Sequence, residues 1–160
     1  AVAARGESGS PGAVTSLLAA SFGGETSADG AEPRPGPGDW GGIGVRSAAP
    51  GSLFRHAVVR FGGGATFFGA GATEAGLYVE SPSLEIRESR IERNAHAGIR
   101  IWGGAPRILG STITGNGIGV LATHGSAAVL EGNDLSGNVS GAISLEGCPG
   151  LRASGNRGAP

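Results

Sequence analysis

Lysine and methionine are absent from this chain, cysteine occurs once, and tyrosine once. All 12 basic residues are therefore arginines, set against 13 acidic ones, for a net charge of -1. A nucleic-acid partner calls for a basic excess, and none is present. The lone Cys148 can form no internal disulfide, so cysteine usage does not fix a redox compartment. No run is long and apolar enough to be a membrane-spanning helix, and no signal peptide is visible. Long amphipathic periods are missing too. Leu84, Ile86 and Ile91 in LEIRESRIERN break helical spacing, and Leu84 and Ile86 alternate as in a strand.

What the chain has in plenty is glycine, 33 of 160 residues. There is no Gly-X-Y period, which excludes collagen. Apolar residues make up 39% of the chain and prolines number only 9, which speaks against a disordered Gly/Pro-rich polymer. Glycine, serine and threonine mixed with short β-branched bursts predict many short strands and frequent turns.

The bursts repeat. Asn94, Asn116 and Asn138 are spaced 22 apart. Three residues before each stands an apolar residue (Ile91, Ile113, Leu135). Five before stands a small polar one (Ser89, Ser111, Asn133), and eight before another apolar one (Ile86, Ile108, Leu130). Upstream, Leu53, His56, Val58 and Phe61 fit the same columns; downstream, Leu151 and Ser154 fit the first two. Short alternating runs open with Gly42, Gly76, Gly98, Gly119 and Gly141, at spacings of 34, 22, 21 and 22. A period near 22 with two or three strands per unit predicts a parallel β-solenoid, all-β, of about five rungs rising ~4.8 Å each. The asparagine column then reads as a ladder: stacked turns let each amide bond its neighbours, and asparagine tolerates left-handed torsions. Ser89, Ser111, Asn133 and Ser154 form a second polar ladder at another corner.

These units resemble the right-handed parallel β-helix repeats of the pectin-lyase-like superfamily over about 40–160. The N-terminal part adds a narrower resemblance. Ala13-Val14-Thr15-Ser16-Leu17, then Gly23-Gly24-Glu25-Thr26, Asp29-Gly30 and Gly36-Pro37-Gly38-Asp39-Trp40-Gly41-Gly42-Ile43 are similar to a block in large secreted or surface β-helix proteins of bacteria. The resemblance implies an extracellular or cell-surface setting and a single β-helix domain, an excerpt of a longer solenoid. Its parts are a first partial rung at 1–17, a side loop at 18–39, a rung at 40–61, an insertion loop at 62–75 and regular rungs at 76–160. Exposed end rungs could pair with other copies.

Several patterns invite chemistry. Gly115-x-Gly117-x-Gly119 in ITGNGIG departs from the G-x-G-x-x-G spacing and has no helix behind it, so it reads as a rung turn. Glu25, Ser27 and Asp29 sit like the opening of a calcium loop, but position twelve is Gly36, so a surface loop without metal is expected. Calcium is the one cofactor for which the chain offers partial ligands. His56, His96 and His124 fall in different columns and make no metal set. The insertion 62–75 carries Phe67 and Phe68 and reads as a side cap or a partner contact. Asn138-Val139-Ser140 matches a glycosylation rule, but Asn138 belongs to the ladder.

Lyases of the resembled superfamily use carboxylates and a basic residue on one sheet face. Here the outward columns read Gly44, Tyr78, Arg100, Leu121, Ser144 and Glu80, Trp102, Thr123, Glu146, with no aspartate. Glu80 and Glu146 stand three rungs apart, ~14 Å, too far for two-carboxylate hydrolysis. No catalytic residue is assigned. Tyr78, Arg100 and Trp102 are the candidate carbohydrate contacts, because aromatic faces stack on sugar rings and arginine bonds hydroxyls and carboxylates. The expected role is a structural or binding segment that touches polysaccharide. The alternatives are part of a polysaccharide lyase, epimerase or hydrolase, or a self-assembling fibre subunit.

Overall fold

The computed structural model describes residues 3–15, 34–64 and 74–158. Among the described residues, fifteen short strands fall into three parallel sheets. The first holds β1 (Ala3–Arg5), β4 (Leu53–Arg55), β7 (Glu85–Arg87), β10 (Arg107–Leu109), β13 (Val129–Glu131) and β15 (Arg152–Ser154). The second holds β2 (Gly12–Val14), β5 (Ala57–Arg60), β8 (Arg90–Glu92) and β11 (Thr112–Thr114). The third holds β3 (Ile43–Arg46), β6 (Ala75–Glu80), β9 (Ala97–Trp102), β12 (Ile118–Thr123) and β14 (Ile143–Leu145). The chain visits the sheets in rotation, so each coil lies on the one before it and every pairing between strands is parallel. This is a parallel β-helix. The described residues contain no helix long and apolar enough to cross a membrane.

The interior is a set of stacked columns. Phe54, Ile86, Ile108 and Leu130 follow one another across the first sheet. Val59, Ile91 and Ile113 do so in the second, and Leu77, Ile99, Val120 and Ile143 in the third. Most of these side chains are wholly buried. Burial of each is worth ~1.5–3 kcal/mol relative to leaving it exposed. Because side chains alternate across a strand, a shift of one residue would turn a whole column outward.

That constraint corrects two extensions of the repeat. Upstream, the residues in register are Phe54, Ala57, Val59 and Gly62, each one position after Leu53, His56, Val58 and Phe61. The coil is 32 residues long there, and burial of the large Phe54 ring chooses the register. Downstream, Ala153 and Asn156 stand where Leu151 and Ser154 were expected. That coil is 23 residues long, and its length is set by Asn156, whose Oδ1 accepts the Asn133 N–H at 2.9 Å.

The two corners that flank the second sheet are built the same way. Between the first and second sheets, His56, Glu88, Gly110, Gly132 and Gly155 have positive φ. The residue after each turns its backbone N–H along the solenoid axis, where no strand carbonyl is in reach. A buried N–H must be paired. The Ala57 N–H donates to Ser89 Oγ and the Ser89 N–H to Ser111 Oγ, both at 3.2 Å. The Ser111 N–H donates to Asn133 Oδ1 at 2.9 Å.

The second corner repeats the device at Phe61, Arg93, Gly115 and Gly137, again with positive φ. Here the Gly62, Asn94 and Asn116 N–H groups donate to Oδ1 of Asn94, Asn116 and Asn138, at 2.9, 3.0 and 3.0 Å. Asn94, Asn116, Ser89, Ser111 and Asn133 are all buried, so these hydrogen bonds are shielded from water.

The glycines near the starts of β6, β9 and β12 belong to the same device. A Cβ on Gly76 would lie 2.5 Å from the Asn94 side chain; one on Gly98 would lie 2.7 Å from Asn116 Nδ2, and one on Gly119 2.8 Å from Asn138 Nδ2. Each glycine leaves the room that the asparagine of the next coil fills.

Candidate functional site

The third sheet carries the sequence-derived candidates on its outer face. Gly44 pairs with Tyr78, Tyr78 with Arg100, Arg100 with Leu121, and Leu121 with Ser144. In the next outward column Arg46 pairs with Glu80 and Trp102 with Thr123. Tyr78, Arg100 and Trp102 are thus brought onto one face, but they do not have equal access to solvent.

Tyr78 is only 8% exposed. Its hydroxyl donates to Glu80 Oε2 at 3.4 Å, the Arg46 guanidinium lies 5.7 Å from its ring centre, and Arg46 Nε meets Glu80 Oε2 at 3.4 Å. Burial, and then the adjacent Glu80 charge, push the phenol pKa above its ordinary value. Tyr78 is a buried support of this face, and its ring is not open for stacking.

Trp102 is half-buried, and its ring stacks on His124 with centroids 3.3 Å apart and planes 19° from parallel. His124 sits at a corner with φ 58°, and its Nδ1 lies 2.9 Å from Thr123 Oγ1. The Arg100 guanidinium lies 5.8 Å from the Trp102 ring centre, within cation–π range. Arginine, tryptophan and histidine therefore cluster into one platform.

Beside the platform runs a groove of about 440 Å³, lined among others by Glu74, His96, Arg100, Leu121 and Val139. The Ala97 N–H donates to the Glu74 carbonyl and the Ile118 N–H to the His96 carbonyl, so Glu74, His96 and Gly117 stand on successive coils. Val139 is 87% exposed. The groove combines an apolar wall with a carboxylate, an imidazole and a guanidinium. Its size is that of small-ligand sites. Arg100 belongs to both groove and platform.

Of the ladder residues, Asn94 and Asn116 are buried in the floor of the groove, while Ser89, Ser111 and Asn133 line the corner between the first two sheets. Asn138 Nδ2 is engaged by the carbonyls of Ile113 and Leu135. Glu25, Ser27 and Asp29, the partial calcium ligands, lie outside the described residues. Among the described residues no group of three or more His, Cys, Asp and Glu could hold a metal ion.

Sequence reasoning passed over Arg46 and Glu74, and weighed His96 and His124 only as metal ligands. A signal for two of them was present: Glu74 and His96 each precede an Ala-Gly pair, Ala75-Gly76 and Ala97-Gly98, that opens a strand. The Trp102–His124 stack had no such signal, because it depends on a left-handed corner that a histidine occupies.

No curated protein and no solved structure gives a significant match to the chain. The model of the right handed beta helix region family matches residues 64–157, more than half of the chain. The columns, corners and parallel sheets described above are those of that architecture, and the chain belongs to the right-handed β-helix family.

Proposed function

We propose that this chain is a non-catalytic structural and binding segment of a secreted or cell-surface bacterial protein, and that its third-sheet face contacts polysaccharide. The observation that carries the reading is the Arg100–Trp102–His124 platform beside a groove that shares Arg100. A half-buried indole held flat by a second ring is preorganised, so little side-chain entropy is lost when a sugar ring stacks on it. Arg100, His96 and Glu74 supply hydrogen bonds to hydroxyl groups at the groove. The stacked coils below supply rigidity over several repeats, as a stalk requires. Against catalysis stands the separation of Glu80 from Glu146, ~14 Å over three strand steps, where paired-carboxylate hydrolysis uses about 5–9.5 Å.

Calorimetric titration with a panel of neutral and acidic oligosaccharides tests the reading. At least one should bind saturably, and Trp102→Ala should weaken that binding tenfold or more without changing the unfolding midpoint appreciably. Equal binding by wild type and Trp102→Ala, or no binding across the panel, would overturn it.

A further inference from the structure

The outer face of the first sheet stacks like charges. Arg5 pairs in register with Arg55, and Arg55 with Arg87. Strand neighbours lie ~4.8 Å apart, and like charges directly opposite one another destabilise a sheet unless they are answered. Arg87 is answered by Glu85 at 2.9 Å. Arg55 and the adjacent His56 share one oxygen, Glu88 Oε2, at 3.0 and 3.2 Å. One carboxylate, Glu88, is therefore shared by Arg55 and His56, while Arg5 makes no ion pair among the described residues.

The backbone makes a cleft at this point. The Gly6 N–H donates to the Arg55 carbonyl and the Gly12 N–H to the His56 carbonyl, both at 3.0 Å. The excursion between them closes on itself, with Glu7 and Ser10 exchanging backbone hydrogen bonds at 3.0 Å. The result is a cleft of about 520 Å³ lined by Arg5, Gly6, Glu7, Ser8, Leu53, Arg55 and His56. Glu7 is the one acidic residue in that lining and makes no ion pair among the described residues.

We propose that this cleft binds an oxyanion, a sulfate or phosphate group, between Arg5 and Arg55. Guanidinium forks match such groups through paired N–H donors, and Ser8 supplies a hydroxyl donor at the rim. The bound anion answers Arg5, the one member of the Arg5–Arg55–Arg87 stack without a carboxylate partner among the described residues. Glu88 agrees with a positive surplus here: the Arg55 hydrogen bond and the nearby cationic charges hold its carboxyl below the usual range. The site lies on a different sheet from the Trp102 platform, so it stands or falls independently of the polysaccharide reading.

The test is calorimetric titration of the folded chain with inorganic sulfate and with inorganic phosphate, against chloride at matched ionic strength. Saturable heat is expected for one or both oxyanions and none for chloride. Arg5→Gln should weaken binding tenfold or more. Arg152→Gln, an exposed arginine on the same sheet four strands from β4, should stay within twofold of wild type. Heats for sulfate and phosphate equal to those for chloride would overturn the proposal. So would equal losses in Arg5→Gln and Arg152→Gln, because the binding would then be diffuse charge attraction. A phosphorylated or sulfated sugar that binds no more weakly than the free ion would place the anion on a larger ligand; one that binds to Arg5→Gln as to wild type would count against the site.

Discussion

Asn94 is tied to Asn116 twice through one atom. Its backbone N–H and its side-chain amide both donate to Asn116 Oδ1, at 3.0 and 2.8 Å. Asn116 Nδ2 in turn reaches Asn138 Oδ1 and the Ile91 carbonyl, at 3.1 and 3.0 Å. The ladder thus links coils in both directions and satisfies backbone groups that the left-handed corners leave without a strand partner. It also demands Gly76, Gly98 and Gly119 at the starts of β6, β9 and β12, which ties two regular features of the sequence to one cause.

Gly98→Ala follows from that demand. The new Cβ would meet Asn116 Nδ2 at 2.7 Å, Ile113 Cγ2 at 2.8 Å and the Gly119 carbonyl oxygen at 2.9 Å. Urea unfolding should show a loss of about 1–3 kcal/mol. Gly44→Ala, on the open outer face with nothing within 4 Å, should change stability by no more than about 0.5 kcal/mol. Equal losses at the two positions would show that the Asn116 contact is not the cause.

The second corner offers a converse test. Arg93, Gly115 and Gly137 occupy equivalent places with φ of 56°, 67° and 70°. A left-handed torsion costs a residue with a Cβ about 1–2 kcal/mol, while glycine gives back part of that as backbone entropy. Arg93 is exposed, so Arg93→Gly should raise stability by up to about 1 kcal/mol. Gly115→Ala should lower it by about 1–2 kcal/mol. Thermal unfolding of the two variants checks both signs.

Acid should weaken the fold through two corner carboxylates. A hydrogen bond from Arg55 holds the Glu88 carboxyl below its ordinary pKa, and hydrogen bonds from the Ser136 hydroxyl and backbone N–H do the same for Asp134. A carboxyl depressed in the folded state stabilises the fold above its unfolded-state value, and that contribution is lost as pH falls through the folded-state value. Unfolding midpoints should therefore fall below about pH 4. A Glu88→Gln, Asp134→Asn double variant should lose less over the same range. A wild-type midpoint that holds or rises there would contradict the assignment.

Much of the fold was legible because the constraint is periodic. Ile86, Ile108 and Leu130 share a column for a physical reason, burial on one face of a parallel sheet, and repetition at 22 residues exposes it. The outward columns through Tyr78, Arg100 and Leu121 followed from the same register. Where the coil length changed, the period carried no information. Phe54 and Asn156 were missed because the 32- and 23-residue coils are set by which side chain can be buried or can accept a corner N–H. The site was less legible. Tyr78 points outward in the pattern, yet Arg46 and Glu80 enclose its hydroxyl and ring, and alternation does not report what lies over a sheet face. His124 reaches Trp102 through a corner torsion that no residue spacing encodes.

Buried side chains from one coil hold the backbone of the previous coil in register, and Asn116→Ala removes one such side chain. The substitution removes the acceptor of the Asn94 N–H and of Asn94 Nδ2 in a fully buried place. Equilibrium urea unfolding should show a loss of about 2–4 kcal/mol, from two stranded donors at about 1–3 kcal/mol each and partial relaxation around them. A loss under about 0.5 kcal/mol, the size of an ordinary surface change, would contradict the account.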